Sequence, residues 1–126
     1  MVQLNRYLRE LGIDEKSCWL FKKENKENDD RYNPDEDGFV DAEFFDLDYS
    51  LSLYIYSHLC YFRDYCLCGH PSSMTFEQWK SIIDKMIEAF KLQITTDNEW
   101  NVSKNKQKKI NYGMRLFIKY YNHLWY

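Results

Sequence analysis

Thr75-Phe76-Glu77-Gln78-Trp79-Lys80-Ser81-Ile82-Ile83-Asp84-Lys85-Met86-Ile87-Glu88-Ala89-Phe90 is the stretch that decides the fold class. Trp79, Ile82, Ile83, Met86, Ile87 and Phe90 recur at spacings of three and four, while Lys80, Asp84, Lys85 and Glu88 fall between them. That period places one apolar stripe along an α-helix and charge on the opposite side. Thr75 and Gln78 stand three apart just before the stripe. Each side chain can satisfy the other residue's free backbone N–H, the reciprocal cap that starts a helix. The pattern predicts a helix over residues 75 to 93.

Working outward, Gly69 and Pro71 mark a connection, and the segment before it carries a second helical pattern. Leu51, Tyr54, Ile55, Leu59, Phe62 and Cys66 define a buried face of a helix over 47 to 67, with Asp48 as its amino-terminal cap. On the other side, residues 95 to 109 are polar and lysine-rich and read as an exposed loop. A last helix is expected over 106 to 125, its stripe formed by Ile110, Gly113, Met114, Phe117, Tyr121 and Leu124. A glycine inside a helix costs about 0.5–1 kcal/mol relative to alanine, so Gly113 predicts close approach of a neighbouring helix.

Leu4, Leu8 and Leu11, closed by Gly12, predict a short helix over 2 to 11. Lys22 to Tyr32 is almost wholly charged or amide-bearing, and Asn33, Pro34 and Gly38 then break regular structure. The expected fold is therefore all-α: a compact bundle of three core helices, with a short amino-terminal helix and an acidic loop. Residues 1–46 form an acidic appendage and residues 47–126 the helical core domain.

The chain has 126 residues, the usual size of one domain, and 44% are hydrophobic, with eleven Tyr, eight Phe and four Trp. Burial of that much apolar surface excludes disorder of the whole chain. Tyrosine and tryptophan are also enriched at binding surfaces, which favours a binding role and leaves room for a homodimer. No run approaches the ~20 apolar residues of a membrane span, and the amino terminus lacks a secretion signal. A cytoplasmic protein without membrane contact is expected. Cys18, Cys60, Cys66 and Cys68 are then free thiols. Net charge is −3, unevenly spread: residues 1 to 46 hold seven Lys/Arg against thirteen Asp/Glu, and residues 47 to 126 ten against seven. An acidic surface repels phosphate and attracts basic protein, so a protein partner is expected and direct nucleic-acid binding is not.

Four constellations could carry chemistry. Asn33 to Asp41 resembles the start of an EF-hand calcium loop, with Asn33, Asp35, Asp37 and Asp41 as oxygen donors and Gly38 at the sharp sixth position. The closing glutamate fails, since position twelve is Phe44 and Glu43 lies one residue early, so an acidic turn is expected in place of a metal site. Cys60, Cys66, Cys68 and His70 lack the spacing of a zinc knuckle, and Cys60 and Cys66 read as small core hydrophobes. His58, His70 and His123 stand in no nucleophile, metalloprotease or phosphate-loop motif, so neither enzymatic activity nor a cofactor is expected. Lys104, Lys106, Lys108, Lys109, Arg115 and Lys119, near Trp100, Tyr112 and Tyr120, have the composition of a phosphate-binding surface. Trp100, Lys106, Lys108, Lys109, Tyr112 and Arg115 are its candidate nucleotide contacts.

Further elements carry a resemblance. Phe45-Asp46-Leu47-Asp48-Tyr49-Ser50-Leu51-Ser52, Tyr61-Phe62-Arg63, Gly69-His70-Pro71, Glu77-Gln78-Trp79, Ile83 to Phe90, Gly113 to Phe117 and Tyr120 to Trp125 together resemble a family of short proteins of tailed phages and prophages. The resemblance spans residues 45–126; Tyr56-Ser57-His58-Leu59 stands where that family usually has proline and arginine. It implies a phage origin and no agreed activity.

The leading expectation is a phage accessory protein that acts by stoichiometric binding. It would block a host defence component, such as a CRISPR nuclease, in the host cytoplasm. Asp29, Asp30, Asp35, Glu36, Asp37, Asp41 and Glu43 would occupy a groove evolved for nucleic-acid phosphate. The alternatives are a sponge for a nucleotide immune signal, an EF-hand-like calcium module, and a structural accessory of the virion.

Overall fold

The structure, a computed structural model, describes residues 5–13, 34–39, 44 and 46–125. Its helices are α1 (Arg6–Glu10), α2 (Leu47–Tyr61), α3 (Phe76–Thr95) and α4 (Lys104–Lys119). Among the described residues no strand occurs, and the fold is all-α. The chain divides into two compact units, Met1–Tyr54 and Ile55–Tyr126. That division falls inside α2.

In the first unit, Asn5 starts α1 by accepting the Tyr7 N–H on its side-chain oxygen at 2.9 Å. Gly12, at φ +81°, ends it, and Tyr7 and Leu8 are buried. The helix expected over 2 to 11 is described for residues 6–10; residues 2 to 4 lie outside the described set.

The expected buried face of α2 needs correction. Leu51 and Tyr54 are exposed, Ile55, Phe62 and Cys66 are half-buried, and of that set only Leu59 is buried. The buried side is instead Ser50, Ser52, Leu53, Tyr56, Ser57, Leu59 and Cys60. Two causes combine. Large apolar residues surround α2 on nearly every side, so their spacing does not select one stripe. Serine is small and can satisfy its own hydroxyl, as Ser52 does by donating to the Asp48 carbonyl at 2.7 Å, so it can be buried like an alanine. Asp48 is not the cap; the helix begins at Leu47, and Asp48 sits in the first turn, where a carboxylate favours the helix dipole.

Beyond Tyr61 the helix widens into a single π-helical turn, Phe62–Cys66, which brings its end close to the expected residue 67. Arg63 holds this turn to α3: Nε donates to Asp64 Oδ1 at 2.8 Å and Nη1 to Asp84 Oδ1 at 3.3 Å. The Asp64 carboxylate beside it raises the guanidinium pKa above its ordinary value.

The capping pair of α3 forms as the sequence predicts. Thr75 N–H donates to Gln78 Oε1 at 2.9 Å, and Gln78 N–H to Thr75 Oγ1 at 3.1 Å. Trp79, Ile83, Met86, Ile87, Ala89, Phe90 and Ile94 are buried, with Ile82 half-buried. The helix runs two residues past the expected end.

Residues 96–103 turn the chain back, and Ser103 caps α4 by accepting the Lys106 N–H at 3.2 Å. The last helix therefore starts before the expected residue 106. It also stops at Lys119, and a 3-10 turn, Tyr121–His123, replaces its expected final turns. Ile110, Gly113 and Leu116 are buried, Met114 and Phe117 half-buried, and Tyr121 is exposed. The stripe bends away because the helix ends one turn before Tyr121 and Leu124 could join it.

α3 and α4 pack as a helical hairpin. A Cβ placed on Gly113 would meet the Ala89 Cβ and the Lys85 carbonyl oxygen, so the bare glycine is what lets the two helices touch. Aromatic edges flank this crossing: Phe90 against Phe117 at 5.2 Å, and the Trp79 ring, 1% exposed, against Tyr120 at 5.7 Å.

Candidate functional site

The sixteen residues of α4 include Lys104, Lys106, Lys108, Lys109, Arg115 and Lys119, and no carboxylate. Lys104, Lys108, Asn111, Arg115 and Lys119 follow one another at spacings of four, three, four and four, and all are exposed. Helical geometry therefore lines them up in one row opposite the buried Ile110, Gly113 and Leu116. Tyr112, also exposed, stands beside the row between Lys108 and Arg115. Lys85 reaches across from α3, its Nζ 5.6 Å from the centre of the Tyr112 ring, and adds a further positive charge.

Neutralisation of this face is slight. Lys106 pairs with Glu99 at 3.4 Å, and the other five bases of α4 form no ion pair among the described residues. Lys104 and Lys108, Lys106 and Lys109, and Arg115 and Lys119 are like-charged neighbours on the helix, an arrangement that weakens it. The first turn holds lysines where the macrodipole favours carboxylates. Lysine's helix preference alone does not account for this pattern, because a helix built for stability would alternate lysine with glutamate.

Trp100, just before the helix, is 99% exposed. The Glu99–Lys106 pair keeps its neighbourhood against the first turns of α4. Of the candidate nucleotide contacts, Lys108 and Arg115 share the row, Tyr112 stands beside it, Trp100 flanks its start, Lys109 lies to one side, and Lys106 is half-buried. Lys85 was missed by the sequence reading. Its signal is weak, because nothing in the chain order links position 85 to position 112.

The acidic candidates divide. Asp35, Glu36 and Asp37 are exposed on a turn, whereas Asp29, Asp30, Asp41 and Glu43 lie outside the described residues. Asp35 builds that turn: its Oδ1 accepts the N–H groups of Asp37 and Phe39, each at 2.9 Å, while Gly38 adopts φ +87°. Asp35 is thus engaged with its own backbone. Asn33 and Asp41 of the calcium-like segment are outside the described set, and among the described residues no group of three or more His, Cys, Asp or Glu is placed to hold a metal ion.

The cysteines and histidines are scattered. Cys60 is buried, Cys66 half-buried and Cys68 exposed, all three as free thiols; Cys18 lies outside the described set. His58 is exposed, with Nδ1 3.3 Å from Ser57 Oγ. His70 donates from Nδ1 to the Pro71 carbonyl at 2.8 Å. His70 and His123, with Cys68, Ser72, Trp79 and Trp125, line an open cavity of about 290 Å³. Among the described residues no carboxylate lines it. The sequence reading did not find this cavity, which unites residues more than forty positions apart.

No helix among the described residues is long and apolar enough to cross a membrane. No protein-family model, curated protein or solved structure matches the chain.

Proposed function

We propose that the chain is a binding protein, not an enzyme, and that the solvent face of α4 is its working surface for a negatively charged partner. The observation that carries this reading is the row of four like charges, Lys104, Lys108, Arg115 and Lys119, that form no ion pair among the described residues on a helix without a single carboxylate. Mutual repulsion and an unfavourable dipole reduce the stability of such a helix by a few tenths of a kcal/mol per pair. A bound anion reverses the sign of both effects.

A simple separation tests it. At pH 7 the whole chain carries −3, so it should not stay on a negatively charged resin unless a local basic surface holds it. The wild-type protein is expected to be retained at low salt, and the double variant Lys108→Glu with Arg115→Glu to flow through. A wild-type protein that flows through contradicts the reading.

A second reading keeps the acidic turn as a contact. Exposure of Asp35, Glu36 and Asp37 supports it, together with the resemblance of residues 45–126 to short phage proteins. The chain would then be a phage accessory protein that inhibits a host defence nuclease by occupying its phosphate groove. Asp35 holds the turn in shape, so the informative change is Glu36→Lys with Asp37→Lys. Nuclease inhibition is expected to disappear in that variant; undiminished inhibition contradicts the second reading.

A further inference from the structure

From the residues that accompany the basic row, we infer that its partner is single-stranded nucleic acid. This rests on the reading of α4 as the working surface and adds the identity of the anion. Three features point to an unpaired strand.

The first is length. Lys104 to Lys119 spans about 22 Å along the helix, room for the roughly four nucleotides at the lower limit of such sites. The second is Trp100. An indole 99% exposed at the end of a lysine row offers a flat apolar face that water solvates poorly and an unstacked base covers well. The adjacent ion pair, Glu99 with Lys106, also neutralises a carboxylate that would otherwise repel phosphate. A paired duplex has no free base face to offer that ring.

The third feature concerns the amides. A helix that reads a duplex groove uses Asn, Gln or Arg side chains on base edges. Of the three exposed amides on α4, Asn105, Gln107 and Asn111, the two nearest the row engage each other, Gln107 Nε2 donating to Asn111 Oδ1 at 2.9 Å. Arg115 likewise donates from Nε to the Asn111 carbonyl at 3.3 Å. What remains outward in the row is mainly charge, and a strand held by its phosphates and one stacked base needs no more.

Fluorescence anisotropy of the full chain with a labelled 15-nucleotide oligodeoxythymidine tests this, beside a duplex of equal length and a poly-glutamate peptide. The single strand is expected to bind at least tenfold more tightly than either competitor. Trp100→Ala should weaken it about tenfold without changing the salt dependence, and Trp100→Phe should retain most of the affinity. Lys108→Glu should weaken binding and flatten the salt dependence. Because Trp100 is fully exposed, its replacement does not disturb the fold, and unchanged circular dichroism verifies that. Equal or tighter binding of duplex or poly-glutamate, or an unaltered affinity in Trp100→Ala, overturns the nucleic-acid inference and leaves the α4 reading standing. Failure of all three polyanions to bind overturns both.

Discussion

Gly113 sits where α4 touches α3, and a methyl group there would press on the Ala89 side chain and on the backbone of Lys85. Alanine improves intrinsic helix propensity by about 1 kcal/mol, but overpacking at a closed contact costs about 1–3 kcal/mol. Backbone cannot step aside as a flexible side chain can, so the overpacking wins. Gly113→Ala is expected to lower the thermal midpoint by several degrees; an unchanged or raised midpoint would mean that the helices separate easily here. Trp79 and Trp100 make the opposite comparison at the same scale. Trp79→Ala removes a ring that is 1% exposed and should cost about 3–5 kcal/mol, whereas Trp100→Ala should leave denaturant unfolding within about 0.5 kcal/mol of wild type.

At the scale of elements, α3 was legible because its code is redundant. Apolar spacing, charged positions and the Thr75–Gln78 cap all point to the same helix, and the structure forms the cap and buries the stripe as the sequence predicts except at Ile82, which is half-buried, as is Glu88. Thr75→Ala, which removes one half of that cap, should destabilise the protein by about 1 kcal/mol. α2 was legible as a helix but not as a face. Its apolar residues lie all around the axis, and the buried side is marked by Ser50, Ser52 and Ser57, which a polarity pattern assigns to solvent. α4 was misplaced at its start because the carboxylates that usually announce a first turn are missing. That absence has a consequence for stability. Lys104→Glu should raise helix stability by about 0.3–1 kcal/mol through the macrodipole while weakening polyanion binding. Thermal unfolding and anisotropy on the same variant read both signs; a variant that loses stability contradicts the assignment of Lys104 to a functional row.

Across the whole chain, the net charge of −3 hides two segments of opposite sign. Residues 1–46 hold thirteen carboxylates against seven bases, and α4 holds six bases against none. Overall charge therefore argued against a phosphate-bearing partner, and only the helical register showed four of the bases in one row, with Lys85 alongside. The candidate site was legible in composition and illegible in geometry, because Lys85 and the row come from separate helices brought together by the Gly113 contact. If three or four phosphates are held, log K should fall with log salt at a slope of roughly −2 to −3, about −0.7 per phosphate neutralised on a single strand.

Backbone chemical-shift mapping during titration with the same 15-nucleotide strand tests the central claim most directly, since it reports which surface is touched. The account predicts shifts concentrated at Trp100, Lys104, Lys108, Tyr112, Arg115 and Lys119, with Asp35, Glu36 and Asp37 unmoved. Shifts that leave α4 untouched would contradict it.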